Sequence, residues 1–187
     1  MPVTSISRRI EKSIEALTTK DYESAFVQLF PAIDKTAKKR RPREGVGARI
    51  KGFISDEEAV ITAVAVNGVI IGNTFDGVDF PTALYKFGRT SIVHEGELDK
   101  KLQINEHGDV IYGKVWNLPS SYIDGLIIAV VLAPENSGEK INDDIDITLF
   151  DKQYQVNQLW GRSDLIRAIM FKLFPSYGNR VNRDLVR

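Results

Sequence analysis

Apolar positions recur with a helical period in the first third of the chain. The first stripe predicts an amphipathic helix over Ser5–Leu17 and consists of Ile6, Ile10, Ile14 and Leu17. Asp21 has the character of an N-cap and precedes a second stripe, formed by Tyr22, Phe26, Leu29 and Ile33. Pro31 is expected to bend this second helix or to remove one of its hydrogen bonds.

The next segment has two interpretations. Gly45 and Gly47 precede a short helical turn over Arg49–Ile54, and Ser55 with Glu58 has the spacing of a capping box. This predicts a third helix from Ser55 to about Val66, ended by Gly68. The alternative over 56–71 is a β-hairpin, because residues 59–66 are rich in β-branched side chains and Asn67-Gly68 favours a two-residue turn. We favour the helix.

Turn residues and a proline define the middle of the chain. Asn73–Asp79 is predicted to be a loop, and Pro81 lies where a helix over Thr82–Glu95 begins, with Gly96 at its end. Further on, apolar residues alternate with polar ones around the turn 105–108, which predicts a β-hairpin; they are Leu102, Ile104, Val110 and Tyr112.

Two more helices are predicted in the last third. Tyr122–Ala133 is apolar on every side, which is typical of a helix in the centre of a fold. A polar linker (134–144) and one short strand (145–149) follow. Ser163 is expected to cap a last helix through Phe174 whose buried set is Leu165, Ile166, Ile169, Met170 and Leu173, before a polar, loosely held tail at 177–187. The prediction is a mainly α fold with a small β-hairpin, in a single domain over 1–187.

Composition narrows the class of protein. With 43% apolar and 27% charged residues, the chain of 187 residues has the composition of a folded globular domain. Lys plus Arg and Asp plus Glu both number 25, so nucleic-acid binding requires a local basic patch. The chain has no cysteine, no apolar stretch approaching the roughly 18 residues of a membrane span, and no metal-ligand spacing. We therefore expect a cytoplasmic protein without membrane contact, metal or cofactor.

One short segment combines residues that suit phosphate chemistry. Arg89 and His94 are five positions apart on the predicted helix 82–95. Histidine serves as a general acid or base near neutral pH, and arginine grips a phosphate through two parallel hydrogen bonds. The alternative is structural: Arg89 forms an ion pair with Glu95 or Asp79, and His94 is a polar residue at a helix end.

Residues 84–96, LYKFGRTSIVHEG, resemble the signature helix of the HEPN superfamily, in which an arginine and a polar residue precede a histidine. Arg89, Thr90 and His94 occupy these positions, although Thr90 stands where the family most often has Asn, Asp or His. The resemblance implies a HEPN-like helical bundle and a metal-independent endoribonuclease. It also implies homodimers whose motif helices share a cleft, and a role in toxin–antitoxin or antiphage systems.

A basic run follows the second stripe. Six of the nine residues between Lys35 and Arg43 are positively charged: Lys35, Lys38, Lys39, Arg40, Arg41 and Arg43. They are candidates for contacts with an RNA backbone. Alternatively, they form a solvated helix end, where the helix dipole favours cations. No aromatic residue lies within the run to stack on bases.

Two functions are therefore expected from the sequence. The first is a HEPN-like ribonuclease that uses Arg89, Thr90 and His94 on RNA. The second is a catalytically inactive module of the same fold that binds a protein partner, such as an immunity, antitoxin or regulatory subunit. Thr90 and the balanced net charge motivate the second.

Overall fold

The computed structural model describes residues 4–177, and its N-terminal part is an α-helical hairpin. α1 covers Ser5–Thr18 and α2 covers Tyr22–Arg40, as predicted. The Asp21 carboxylate accepts a hydrogen bond from the Ser24 N–H at 3.0 Å and so caps α2. The two helices are tied at their apolar interface, where the buried Ser13 hydroxyl donates to the Ala25 carbonyl at 3.0 Å.

α3 is one continuous helix over Val46–Val66. Gly45 precedes it, so the predicted start at Ser55 is wrong, and Asn67 ends it in a left-handed conformation (φ 49°). The hairpin alternative is also wrong. The β-branched residues that suggested strands, among them Val60 and Ile61, are fully buried on this helix, because tertiary packing outweighs the small intrinsic preference of such residues for strands.

The helix that carries Arg89 and His94 follows a tight hairpin. β1 (Thr74–Phe75) pairs with β2 (Val78–Asp79) across Asp76-Gly77, both at positive φ. The predicted loop is therefore a hairpin, and its Asp-Gly turn is the usual signal for one. The Asp79 carboxylate then accepts a hydrogen bond from the Thr82 N–H at 2.8 Å and caps α4 (Phe80–Ala83). A π-helical stretch connects α4 to α5 (Ser91–Glu95).

The β insertion has a different topology from the predicted hairpin. β3 (Leu102–Asn105) and β4 (Ile111–Tyr112) do not pair with each other, because β5 (Trp116–Pro119) lies between them. β5 is parallel to β3 and antiparallel to β4. The alternation of residues identified two strands correctly, but the central strand comes last in the chain.

α6 (Ser121–Leu132) is the buried central helix that the sequence predicts. Its backbone lies directly against α3 at Gly125, where a Cβ atom would be 2.4 Å from the Ile61 carbonyl oxygen. Only glycine permits this approach. α6 therefore crosses α3 at contact distance.

The last third contains one strand more than predicted. β6 (Asp146–Leu149) pairs with β7 (Lys152–Gln155), and the linker before them contains a 3₁₀ turn at Pro134–Asn136. α7 covers Ser163–Leu173. Of its predicted buried set, Ile166 and Met170 are buried but Leu173 is half exposed. Tyr177 is buried rather than loosely held, and the rest of the predicted tail, 178–187, lies outside the described residues.

The predicted class is confirmed: the fold is mainly helical with small strand pairs. One hydrophobic core joins all these helices, and Tyr122, Phe26 and Phe53 are among its largest fully buried side chains. Over residues 4–177, no helix is both long enough and apolar enough to cross a membrane.

Candidate functional site

The helix that carries the motif has a local change of winding. α4 passes into a π-helical stretch at Leu84–Thr90, and α5 (Ser91–Glu95) then ends at Gly96, whose φ is 83°. π turns place one extra residue in a helical turn and occur often at functional sites. Here the wide turn sets the direction in which Arg89 leaves the helix.

Gly88 brings this π stretch against α2. A Cβ atom at Gly88 would lie 2.8 Å from Cζ of Phe30 and 3.2 Å from Cδ2 of Leu102. Phe30 in turn stacks on Phe26, with the ring centroids 5.3 Å apart. The glycine therefore fixes how closely the motif helix packs on α2.

Arg89 lies between these two helices, in a groove of about 550 Å³ that we call the Arg89 groove. Its walls are apolar and comprise Phe26, Val27, Phe30, Pro31, Ile92 and Val93. The other polar lining residues are Arg9, bound to Gln28, and Asp34, which is paired with Arg49 at 2.7 Å. A second guanidinium thus accompanies Arg89 in the groove.

Arg89 has no carboxylate partner among the described residues. The guanidinium carbon lies 5.8 Å from the centre of the Tyr85 ring, a distance compatible with a cation–π contact. The ion pair with Asp79 or Glu95 that the structural alternative required is not formed, and Asp79 instead caps α4. The positive charge of Arg89 is therefore not neutralised by a carboxylate within residues 4–177.

His94 is exposed at the last turn of α5 and has no hydrogen bond or ion pair with any residue in the described part of the chain. It does not line the Arg89 groove. Side chains five positions apart on an α-helix point about 140° away from each other. Within one chain, the fold brings Arg89 and His94 to the same short helix but not into the same groove.

The Thr90 side chain forms a hydrogen bond within its own helix. Its hydroxyl donates a hydrogen bond at 3.0 Å to the carbonyl oxygen of Tyr85, five residues earlier. This bond spans the π stretch, so Thr90 stabilises the turn from which Arg89 projects. The Thr90 hydroxyl is therefore engaged with the backbone of its own helix.

The basic run is mostly engaged in the fold. Arg40 binds Asp56, Glu57 and Glu135 at 2.7–3.0 Å. Although burial alone would lower the pKa of Arg40, the hydrogen bond to Glu135 and the charge of Glu57 raise it. Arg41 also pairs with Asp56, at 2.8 Å.

Of the four other cations in the run, two form hydrogen bonds and two do not. Lys39 donates to the Glu135 carbonyl at 3.0 Å and Lys35 to the Ser5 hydroxyl. Lys38 and Arg43 are exposed and have no hydrogen bond or ion pair within 4–177. The six cations therefore do not form a uniformly free surface, nor a simply solvated helix end.

A family assignment follows from comparison with known proteins. The family model named Rv1289 matches residues 5–177, which include every element described above. The chain belongs to the Rv1289 family.

Members of the Rv1289 family from mycobacteria are similar to this chain over nearly its whole length. Uncharacterized protein Rv1289 of Mycobacterium tuberculosis is 26% identical over 185 residues, covering 89% of this chain and 88% of the relative. Uncharacterized protein Mb1320 of Mycobacterium bovis has the same identity and coverage. No solved structure matches significantly.

Two features of this Rv1289-family chain escaped the sequence analysis. The helical stripe of α2 predicts one contact face and does not reveal the apolar walls of the Arg89 groove. Val27, Phe30 and Pro31 widen that stripe, which is the signal that could have revealed a second contact face. Asp124, which lies in another groove, gave no local signal because its neighbours become wall residues only through tertiary packing.

Proposed function

We propose that the protein is a HEPN-like, metal-independent endoribonuclease of the cytoplasm. The observation that carries the proposal is Arg89: it is partly buried in a groove, yet no carboxylate within residues 4–177 neutralises it. The other groove-lining charges, Arg9 and Asp34, have partners. An arginine left without one at a concave surface suits a phosphate.

The proposed reaction needs only these side chains and the RNA. The 2′-oxygen attacks the adjacent phosphorus, the bond to the 5′-oxygen breaks, and the products are a 2′,3′-cyclic phosphate and a 5′-hydroxyl. His94 moves the proton of the 2′-hydroxyl or delivers one to the leaving oxygen. Arg89 stabilises the charge that develops on the phosphoryl oxygens.

A second copy of the chain completes the proposed site. His94 lies outside the Arg89 groove of its own chain, so the two groups act together if the motif helix of another copy is placed across the groove. Val93 is 58% exposed and Val27 is 41% exposed at this surface, which supports an apolar contact there. Each of two sites would then combine Arg89 of one copy with His94 of the other. A role in a toxin–antitoxin or antiphage system fits such an RNA-cleaving homodimer.

The chain offers a matched control for testing this proposal. His94→Ala should lower RNA cleavage in the presence of EDTA by about 10²–10⁴-fold, the usual contribution of a general acid or base. His107→Ala removes the other histidine, which is exposed in the segment that connects β3 to β4, and should leave the rate unchanged. Equal cleavage by both variants would refute the assignment.

A second candidate is the inactive HEPN-like module that binds a protein partner. Two observations favour it: the Thr90 hydroxyl is occupied by the Tyr85 carbonyl, and the walls of the Arg89 groove are apolar. Under this hypothesis purified protein turns over no RNA, and Val93→Asp weakens capture of a stable partner while His94→Ala does not. RNA cleavage that depends on His94 would exclude it.

A further inference from the structure

A second groove lies between α1, α6 and the β6–β7 hairpin and shares no lining residue with the Arg89 groove. Its volume is about 350 Å³, within the range of small-ligand sites. The walls are branched apolar side chains, chiefly Ile14, Ile127, Ile128, Ile147, Leu149 and Val156. We call it the Asp124 groove.

Among the residues that the structure describes, Asp124 is the only charged one that lines this groove. It lies in the first turn of α6, and most of the residues that follow it on that helix are buried. Asp124 is itself exposed, and no hydrogen bond or ion pair joins its side chain to a residue in 4–177. Desolvation by the surrounding apolar groups raises its pKa to about 6.

The hydroxyl groups that line the groove form no hydrogen bond with the Asp124 carboxylate. Ser121 donates its hydroxyl to the Ala65 carbonyl at 2.7 Å, which ties α6 to the end of α3. Thr148 lines both this groove and a smaller adjoining one, which Asp151 also lines. The groove thus offers one unpaired anion and a hydrocarbon surface.

We propose that the Asp124 groove binds a small organic ammonium ion with an apolar tail. The Asp124 carboxylate receives the ammonium group through a charge-assisted hydrogen bond, and the isoleucine walls cover the hydrocarbon part. A calcium ion coordinated directly by the protein does not suit this lining, because one carboxylate and two hydroxyl groups supply too few oxygen ligands. The proposal is independent of the proposed ribonuclease activity.

Calorimetric titration of the full chain at pH 7.5 tests the proposal, with n-hexylamine as the probe and hexan-1-ol as its uncharged counterpart. We expect saturable binding of one n-hexylamine per chain, at least tenfold tighter than hexan-1-ol. Asp124→Asn should weaken n-hexylamine binding at least tenfold while leaving hexan-1-ol unaffected. Asp164→Asn, which removes an exposed carboxylate from α7, is the matched control and should change neither affinity.

Three results would overturn the proposal. The first is equal affinity for the amine and the alcohol, and the second is equal binding by the wild-type protein and Asp124→Asn. The third is no saturable binding of n-hexylamine at millimolar concentration. Circular dichroism of each variant at the same pH verifies that a loss of binding is not a loss of fold.

Discussion

At the scale of single residues, some charged side chains form ion pairs within the described residues and others do not. Arg40, Arg41 and Arg49 all have carboxylate partners, whereas Arg89 has only the face of the Tyr85 ring. His94 likewise contributes no hydrogen bond to the packing of residues 4–177. Replacing Arg89 or His94 should therefore cost little stability, so a loss of activity in these variants can be attributed to the chemistry.

Thr90→Val tests whether this residue positions Arg89 or reacts. The variant loses the hydrogen bond to the Tyr85 carbonyl, so its free energy of unfolding should fall by about 1 kcal/mol in urea titrations. RNA cleavage should fall less than tenfold, because the π turn loosens but no reacting group is lost. Thr90→Ser keeps the hydroxyl and should restore both values. Abolished cleavage with unchanged stability would instead make Thr90 catalytic.

The raised pKa of Asp124 predicts that the free energy of unfolding depends on pH. Because partial desolvation by the groove walls raises its folded-state pKa from 3.8 to about 6, the folded protein binds this proton more tightly than the unfolded chain does. The resulting stabilisation is complete below about pH 4 and is lost as the pH rises through 6. Asp124→Asn should therefore be more stable than the wild type at pH 7.5, by about 1 kcal/mol after allowance for solvent contact, and nearly equal at pH 4. A constant difference across this range would contradict the account.

At the scale of elements, the predictable features are those that depend on neighbours in sequence. The stripes of α1 and α2, the Asp21 cap and the wholly apolar α6 were all evident from local spacing. The β3-β5-β4 order was not, because it depends on a parallel pairing between strands separated by another strand in the chain.

In the candidate site, too, local sequence predicts some features, and others depend on tertiary contacts. Arg89 and His94 were identified from the motif, but neither the π turn nor the apolar groove was predicted. The groove lies where the motif helix packs on α2, and the close approach of Gly88 to Phe30 there joins residues far apart in sequence.

Gly88→Ala tests that packing. The added methyl group meets the Phe30 ring, so the variant should lose about 1–3 kcal/mol of stability, measured by thermal or urea unfolding. Phe30→Leu in the same chain makes room and should recover part of the loss. Gly138→Ala is the control, since nothing lies within 4 Å of its added Cβ atom. Equal effects at both glycines would show that the close approach does not constrain the motif helix.

At the scale of the whole molecule, ion pairs connect elements that are far apart in the chain. Glu57 of α3 is almost fully buried and receives Arg40 from α2 at 2.9 Å and Arg167 from α7 at 2.7 Å. Removing one partner of such a buried group is costly, because a charge is left without compensation. The basic run therefore supports the architecture, which leaves the Arg89 groove as the main candidate surface for RNA.

The central claim is that two copies of the chain together form each RNA-cleaving site. The most direct measurement mixes Arg89→Ala and His94→Ala proteins, each inactive alone, and follows formation of 2′,3′-cyclic phosphate ends in EDTA after subunit exchange. A mixed dimer retains one site with both groups intact, so random exchange should restore about a quarter of the wild-type rate, since half of the dimers are mixed and each has one of two sites. A mixture as inactive as its components would contradict the account.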